Sequence, residues 1–188
     1  MMLLNPIDTG IAEAFSQWRS IGGTYFFINL SELAGPTATA GLALVVALVM
    51  FLRRRFSAIA GFAVAVGGAN AMWILIKALV DRPRPPLALA SFLETGSSFP
   101  SGHATNAFAV ATFFALLVYV HLPKGWGRTA LIVMFIACAS LVAFGRIYLG
   151  VHYLSDVVAG ALLGATCGYL GALAQKNLER KARRLARM

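Results

Sequence analysis

The stretch from Gly145 to Asp156 reads Gly-Arg-Ile-Tyr-Leu-Gly-Val-His-Tyr-Leu-Ser-Asp and lies between two long apolar runs. It holds a guanidinium, an imidazole and a carboxylate: Arg146, His152 and Asp156. A histidine and an aspartate four residues apart share one helix face. An imidazole oriented by a carboxylate serves as a nucleophile or a base. Arg146 adds a planar fork that suits phosphate. A second stretch, from Lys77 to Arg84, gathers Lys77, Arg82 and Arg84, and Pro83, Pro85 and Pro86 stiffen it. A third, Pro100-Ser101-Gly102-His103, opens an apolar run. Serine there suits an N-cap, glycine lets a ligand approach the backbone, and the free N–H groups of a helix start bind phosphate.

Each stretch has an ordinary reading when taken alone. Lys77 would snorkel to an interface, and two loop arginines would be solvated. Ser101 to His103 would be a plain helix start with a surface histidine. Arg146 and Asp156 would form a structural ion pair, with His152 a bystander. Together the stretches point to phosphoryl transfer. A phosphate dianion would meet Lys77, Arg84, Arg146 and the helix start at Ser101 and Gly102. Stabilising its equatorial oxygens is most of the catalytic task. His152 would attack phosphorus to form a phosphohistidine, with Asp156 fixing its tautomer. His103 would protonate the leaving oxygen and later deprotonate the attacking water. Opposite starting protonation states of the two histidines predict a bell-shaped pH dependence. His103, His152 and Asp156 are also three possible zinc ligands. The surrounding cations disfavour a divalent metal, and no carboxylate cluster suits magnesium. A metal-independent site with no cofactor is therefore expected.

The elements that must position these groups are membrane helices. Of 188 residues, 59% are hydrophobic and 12% charged, with a mean hydropathy of +0.76. Soluble domains carry about 25% charged residues. The expected fold class is all-α: an integral membrane helical bundle with five transmembrane helices and an N-terminal interfacial helix or helices. The spans cover residues 36–52, 56–80, from 101 or 102 to about 120, 129–144, and about 156–173. The second would measure about 37 Å as a helix, so it tilts or extends past the hydrocarbon. Residues 81–100, rich in proline, glycine and serine, form a loop.

Residues 7–19 place Ile7, Ile11, Phe15 and Trp18 on one stripe. A membrane-interface helix and a helix packed on the bundle fit it equally well. Residues 24–34 carry Asn29, Ser31 and Glu32 among apolar neighbours and read as a surface or re-entrant piece. The expected organisation is an interfacial region 1–35, a core 36–174 and a basic cytoplasmic tail 175–188. Met1 to Pro6 has neither a basic region nor an apolar region of useful length, so no cleavable signal peptide is expected. Cys138 and Cys167 fall in apolar runs and read as buried free thiols. Gly160, Gly164 and Gly168 let helices pack closely, within the monomer rather than in a dimer.

The net charge is +9, and its distribution decides its meaning. With five spans, Arg53, Arg54, Arg55, Lys124, Arg128, Lys176, Arg180, Lys181, Arg183, Arg184 and Arg187 share one face, 11 of the 16 basic residues. The positive-inside rule makes that face cytoplasmic. Contact with anionic membrane lipids explains the tail more simply than nucleic acid, for which no motif is visible. Lys77, Arg82, Arg84 and Arg146 lie at the opposite face. All three chemical stretches thus converge at the extracytoplasmic rim of a plasma (inner) membrane protein. Charge at mid-bilayer costs at least ~2.5 kcal/mol, less at span ends, so such clustering marks a site.

Lys77, six residues and Arg84-Pro85; Pro100-Ser101-Gly102-His103; and Arg146, five residues, His152, three residues, Asp156 resemble, in order, the three signatures of the type 2 phosphatidic acid phosphatase superfamily. The resemblance covers residues 36–174. It implies a helical bundle shared with vanadium-dependent haloperoxidases and lipid phosphate hydrolysis through a histidine nucleophile. By motif position the nucleophile is His152, the acid–base residue His103 and the orienting carboxylate Asp156. Lys77, Arg84, Ser101, Gly102 and Arg146 bind phosphate, and Arg82, outside the signature, has a supporting role. Gly145 stands where the family often has serine, which removes a hydroxyl but leaves a backbone N–H accessible. Many relatives have six spans. The resemblance implies a lipid phosphate substrate: undecaprenyl diphosphate, phosphatidylglycerol phosphate or phosphatidic acid. Short loops leave little room for a headgroup domain, so the lipid tail is expected to enter between helices. A non-catalytic lipid-phosphate or anion carrier is the competing reading, but binding alone needs only the cations. A haloperoxidase fits the apolar spans and basic flanks less well.

Overall fold

The structure is a computed structural model that describes residues 5–186, and the side chains of residues 36 and 37 are outside the description. Met1 to Leu4, read above for a leader, and Arg187 on the basic face lie outside the described residues. Seven α-helices follow in order among the described residues: α1 Pro6–Trp18, α2 Ile21–Leu33, α3 Pro36–Leu52, α4 Phe56–Val80, α5 Gly102–His121, α6 Trp126–Tyr148 and α7 Leu154–Leu185. A short 3-10 turn, Leu87–Leu89, interrupts the α4–α5 loop. The fold is all-helical.

Length and hydropathy make α4, α5, α6 and α7 membrane spans, since about 20 apolar residues cross the hydrocarbon. At 17 residues, α3 is shorter. It pairs with α2 across a 45° bend, and together they form a broken span or a re-entrant loop. The first of the expected spans, 36–52, is therefore one arm of an elbow whose other arm is the segment read as a surface or re-entrant piece. Helices α4 and α5 have the expected bounds, whereas α6 and α7 are longer than expected. α6 keeps Arg146 in its last turn. α7 runs through the basic tail, and its 32 residues extend about 48 Å, past a hydrocarbon core of about 30 Å.

Helices α4, α5 and α7 form the centre, and glycines allow the contact. A Cβ on Gly160 would lie 2.6 Å from the carbonyl oxygen of Ser101, and one on Gly168 would lie 2.5 Å from that of Ala109. Gly164 meets the Thr105 carbonyl, and Gly171 meets Gly61 of α4, at similarly close range. Backbone-to-backbone approach of this kind holds helices together in lipid, where apolar burial contributes little. The glycine stripe therefore serves packing within the monomer. Both cysteines are free; Cys167 is buried, but Cys138 sits on an outward face of α6 and is exposed, contrary to expectation.

The N-terminal helix is held from both ends. Asn5 caps α1 by accepting from the Ile7 N–H at 3.1 Å. Ser20 caps α2 by accepting from Gly23. The face of α1 turned inward is not the expected stripe. Ile7 and Trp18 are exposed, whereas Asp8 and Ala12 are buried. Ile11 and Phe15 pack beside them against Ala104, Ala143, Ile147 and Val157. The stripe is rotated because Asp8 has partners in the interior.

Candidate active site

The three stretches meet at one end of the bundle. Lys77 sits one turn from the end of α4, half-buried, its Nζ 5.4 Å from the centre of the Trp73 ring. Asp81 closes α4 in the left-handed conformation, at φ 40°, which turns the chain into the proline-rich segment. That turn carries Arg82 and Arg84 inward, so neither is a solvated loop arginine. Arg84 is locked by three carbonyls: Val151 at 2.9 Å, Gly96 at 3.0 Å and Thr95 at 3.2 Å. Its Nη1 also lies 3.3 Å from Nε2 of His152. An arginine can only donate, so Nε2 accepts and the neutral ring carries its proton on Nδ1.

His152 is buried in the α6–α7 connection, ahead of α7 rather than within it. His152 and Asp156 therefore do not share a helix face, as their spacing suggested. Tyr153 is the N-cap, and Asp156, three residues on, turns back to accept its N–H at 2.9 Å. That capping bond aims the carboxylate at the imidazole, with Asp156 Oδ2 3.6 Å from His152 Nδ1. Burial depresses the His152 pKa to about 4, against the opposing pull of Asp156. The ring is neutral at ordinary pH, and its Nε2 lone pair faces the cations.

Ser101 occupies the N-cap position of α5 but makes no capping bond, and its buried Oγ has no partner. An orphaned buried hydroxyl beside a helix start suits an anion's oxygen. The Ser101 N–H donates to the Asp156 carbonyl at 3.0 Å, which fastens α5 to α7 beside His152. His103 sits in the first turn of α5 and donates from Nε2 to the Ser31 carbonyl at 3.3 Å, tying the site to α2. Gly102 lies against the face of Trp73.

A carboxylate absent from the sequence-based site stands in the middle of it. Glu94 bridges Arg84, at 3.1 Å, and Arg146. Arg146 therefore pairs with Glu94 and not with Asp156, whose partner is Arg82. Burial pushes the Glu94 pKa up, but Arg146 and Arg84 more than offset this and hold it below the usual range. Glu94 and His103 line two adjoining cavities. One, of about 100 Å³, also meets Lys77, Gly102 and His152; the other, of about 360 Å³, meets Arg146 and Phe92. Among the described residues, no three His, Cys, Asp or Glu side chains gather as a metal site.

Gly145 does not offer the accessible N–H expected of it. It is buried inside α6, where backbone N–H groups are engaged along the helix, and a Cβ there would lie 2.7 Å from the Phe27 ring. Phe27 of α2 covers the place a serine side chain would need. Sequence reasoning also missed Asp8, Glu94 and Ser98. For the two carboxylates the one signal was scarcity, the chain having only seven acidic residues; Ser98, which donates to Asp156 Oδ2, carried no signal.

Residues 58–180 match the PAP2 superfamily model. The decaprenylphosphoryl-5-phosphoribose phosphatase of Mycobacterium tuberculosis is 40% identical over 130 residues, 68% of this chain and 66% of that protein. Phosphatidylglycerophosphatase B of Bacillus subtilis is 38% identical over 98 residues, 51% of this chain and 47% of that protein. The chain thus spans 66% and 47% of the length of these two curated relatives. The crystal structure of a transmembrane PAP2 type phosphatidylglycerolphosphate phosphatase from Bacillus subtilis superposes with a TM-score of 0.78 at 26% identity, covering 93% of this chain and 85% of that one.

Proposed function

We propose that this chain, which belongs to the PAP2 superfamily, is an integral membrane phosphatase that removes phosphate from a lipid through a phosphohistidine intermediate. The observation that carries the reading is His152 itself: a buried neutral imidazole with Asp156 behind Nδ1 and Arg84 3.3 Å from Nε2. A carrier would need the cations but not this oriented nucleophile.

In this reading the phosphoryl group takes the place between Arg84 and Arg146 that the Glu94 carboxylate holds in this structure. Lys77, Ser101 and the backbone at Gly102 complete its surroundings. The Nε2 lone pair forms the N–P bond, and the leaving oxygen departs with the electron pair of the P–O bond. His103 supplies the proton to that oxygen, which requires its bond to Ser31 to break. Water then attacks phosphorus, His103 takes its proton, and the N–P bond breaks to release phosphate and restore the imidazole. The cations stabilise the equatorial oxygens throughout. No step calls for a metal.

An apolar cavity of about 180 Å³ supports a lipid substrate. It lies between the α2–α3 elbow and α5–α6, lined by Leu42, Val110, Phe135 and Val142, and shares Ala34 and Asn106 with the cavity at His152. A lipid chain entering between these helices would leave its phosphate beside Nε2. The named relatives act on a polyprenyl and a glycerol-based lipid phosphate. The substrate class proposed here is the common denominator, a phosphate ester or diphosphate at the head of a membrane lipid. The basic end of the bundle faces the cytoplasm and the site the opposite side of the plasma membrane.

The test is phosphate release by purified protein across a panel of lipid monophosphates and diphosphates, with EDTA present. Turnover is expected to survive EDTA, to be blocked by vanadate, and to vanish in His152→Ala. An active His152→Ala protein, or loss of turnover on chelation, would overturn the mechanism.

A further inference from the structure

Behind His152, away from the phosphate cavity, lies a network in which Asp156 is the sole signature residue. Asp156 Oδ1 accepts from Arg82 Nη1 at 2.5 Å, and Oδ2 accepts from Ser98 Oγ at 2.5 Å. The other arm of Arg82 donates to Asp8 Oδ2 at 2.8 Å. Asp8 also accepts from the Ser155 N–H at 3.0 Å and hydroxyl at 2.6 Å. The same hydroxyl accepts from Arg82 Nη1 at 2.7 Å. The Arg82 guanidinium lies 4.6 Å over the Tyr153 ring. Asp8, Arg82 and Asp156 are each at most 5% exposed.

Charge counting gives this cluster a purpose. Arg82 alone would cancel Asp156 and leave a poor partner for an imidazole that becomes cationic on attack. Asp8 restores one net negative charge. Asp8 also docks α1 onto the first turn of α7 through Ser155, and it is buried as a charge only because Arg82 and Ser155 pair with it. We propose that Asp8 and Arg82 are positioning residues for the reaction: Arg82 clamps the Asp156 carboxylate toward His152, and Asp8 keeps the site behind the ring net anionic. The N-terminal helix thus becomes part of the catalytic apparatus rather than a membrane anchor alone. The inference rests on the phosphohistidine reading.

Asp8→Asn keeps the shape and removes the charge. Its kcat is expected to fall about 10–100-fold with KM nearly unchanged, as for a group that orients another. The acid limb of kcat/KM moves to lower pH, because the cationic ring loses a supporting charge. Arg82→Gln moves that limb to higher pH, and the double variant returns it toward wild type. Arg84, Arg146 and Glu94, on the other side of the ring, stay in place. A role confined to packing would lower the folded fraction without opposite shifts, so each variant is checked by size exclusion and thermal unfolding. If Arg82→Gln does not fold, Asp8→Asn decides alone. The His152 ring titration followed by NMR reads the same shifts without any substrate, so it stands even if no lipid on the panel is hydrolysed. A folded Asp8→Asn protein with unchanged kcat and an unshifted ring titration overturns the inference, whereas a wild type inactive on every lipid overturns the broader reading.

Discussion

Two arginine–carboxylate clusters flank His152, made of the same residue types and built differently. Behind the ring, Asp8, Arg82 and Asp156 are closed off, at 3%, 5% and 0% exposure, and the oxygens of both carboxylates have donors. In front, Glu94 reaches in from a loop with its side chain 24% exposed, between Arg84 and Arg146. Breaking the first leaves charge stranded without water, which is strongly destabilising. The Glu94 carboxylate can swing into water, and in the proposed reaction a phosphate would take its partners. The rear cluster is built to stay and the front one to exchange.

Breaking the rear cluster at its centre has the largest expected effect. Asp156→Asn removes the carboxylate charge 3.6 Å behind His152 Nδ1, and kcat should fall by about 10²–10⁴, as when an orienting aspartate becomes an amide in a catalytic triad. Steady-state kinetics check this, and KM should change far less. The front cluster should respond the other way. Glu94→Gln removes the internal rival for Arg84 and Arg146, so inorganic phosphate should inhibit about tenfold more tightly, a change of ~1.4 kcal/mol. Unchanged inhibition would mean that Glu94 does not occupy the anion's place, and the contrast between the clusters would fail. The smallest effect is in the pH profile. In the proposed mechanism His152 attacks only when neutral, and burial holds its pKa at about 4. Activity should therefore persist through mildly acidic pH and fall only as pH drops toward 4. A limb above pH 6 would show a ring more solvated than this enclosure allows.

The residues proposed to surround the phosphate stood out in sequence because each carries a charge or a turn with a use at a helix end. Lys77, Arg84, Ser101, Gly102, His103, Arg146, His152 and Asp156 all come to one end of the bundle. The pairings were not legible. Spacing put His152 and Asp156 on one helix, but the chain breaks between them at the Tyr153 cap. The stripe on α1 ran through Ile7, Ile11, Phe15 and Trp18, but Ile7 and Trp18 are exposed and Asp8 is buried instead. Gly145 looked like an opening and is covered by Phe27.

What this chain's amino acids determined alone is the helical membrane architecture, for bilayer thickness sets how long an apolar run must be and charge is expelled to its ends. They also determined which side chains are available for phosphate. Which carboxylate holds which arginine was decided by tertiary structure, because Asp8 lies 74 residues from Arg82, and Glu94 lies 52 from Arg146. Contacts across such separations depend on the path of the α4–α5 loop and the docking of α1, and no local propensity encodes either.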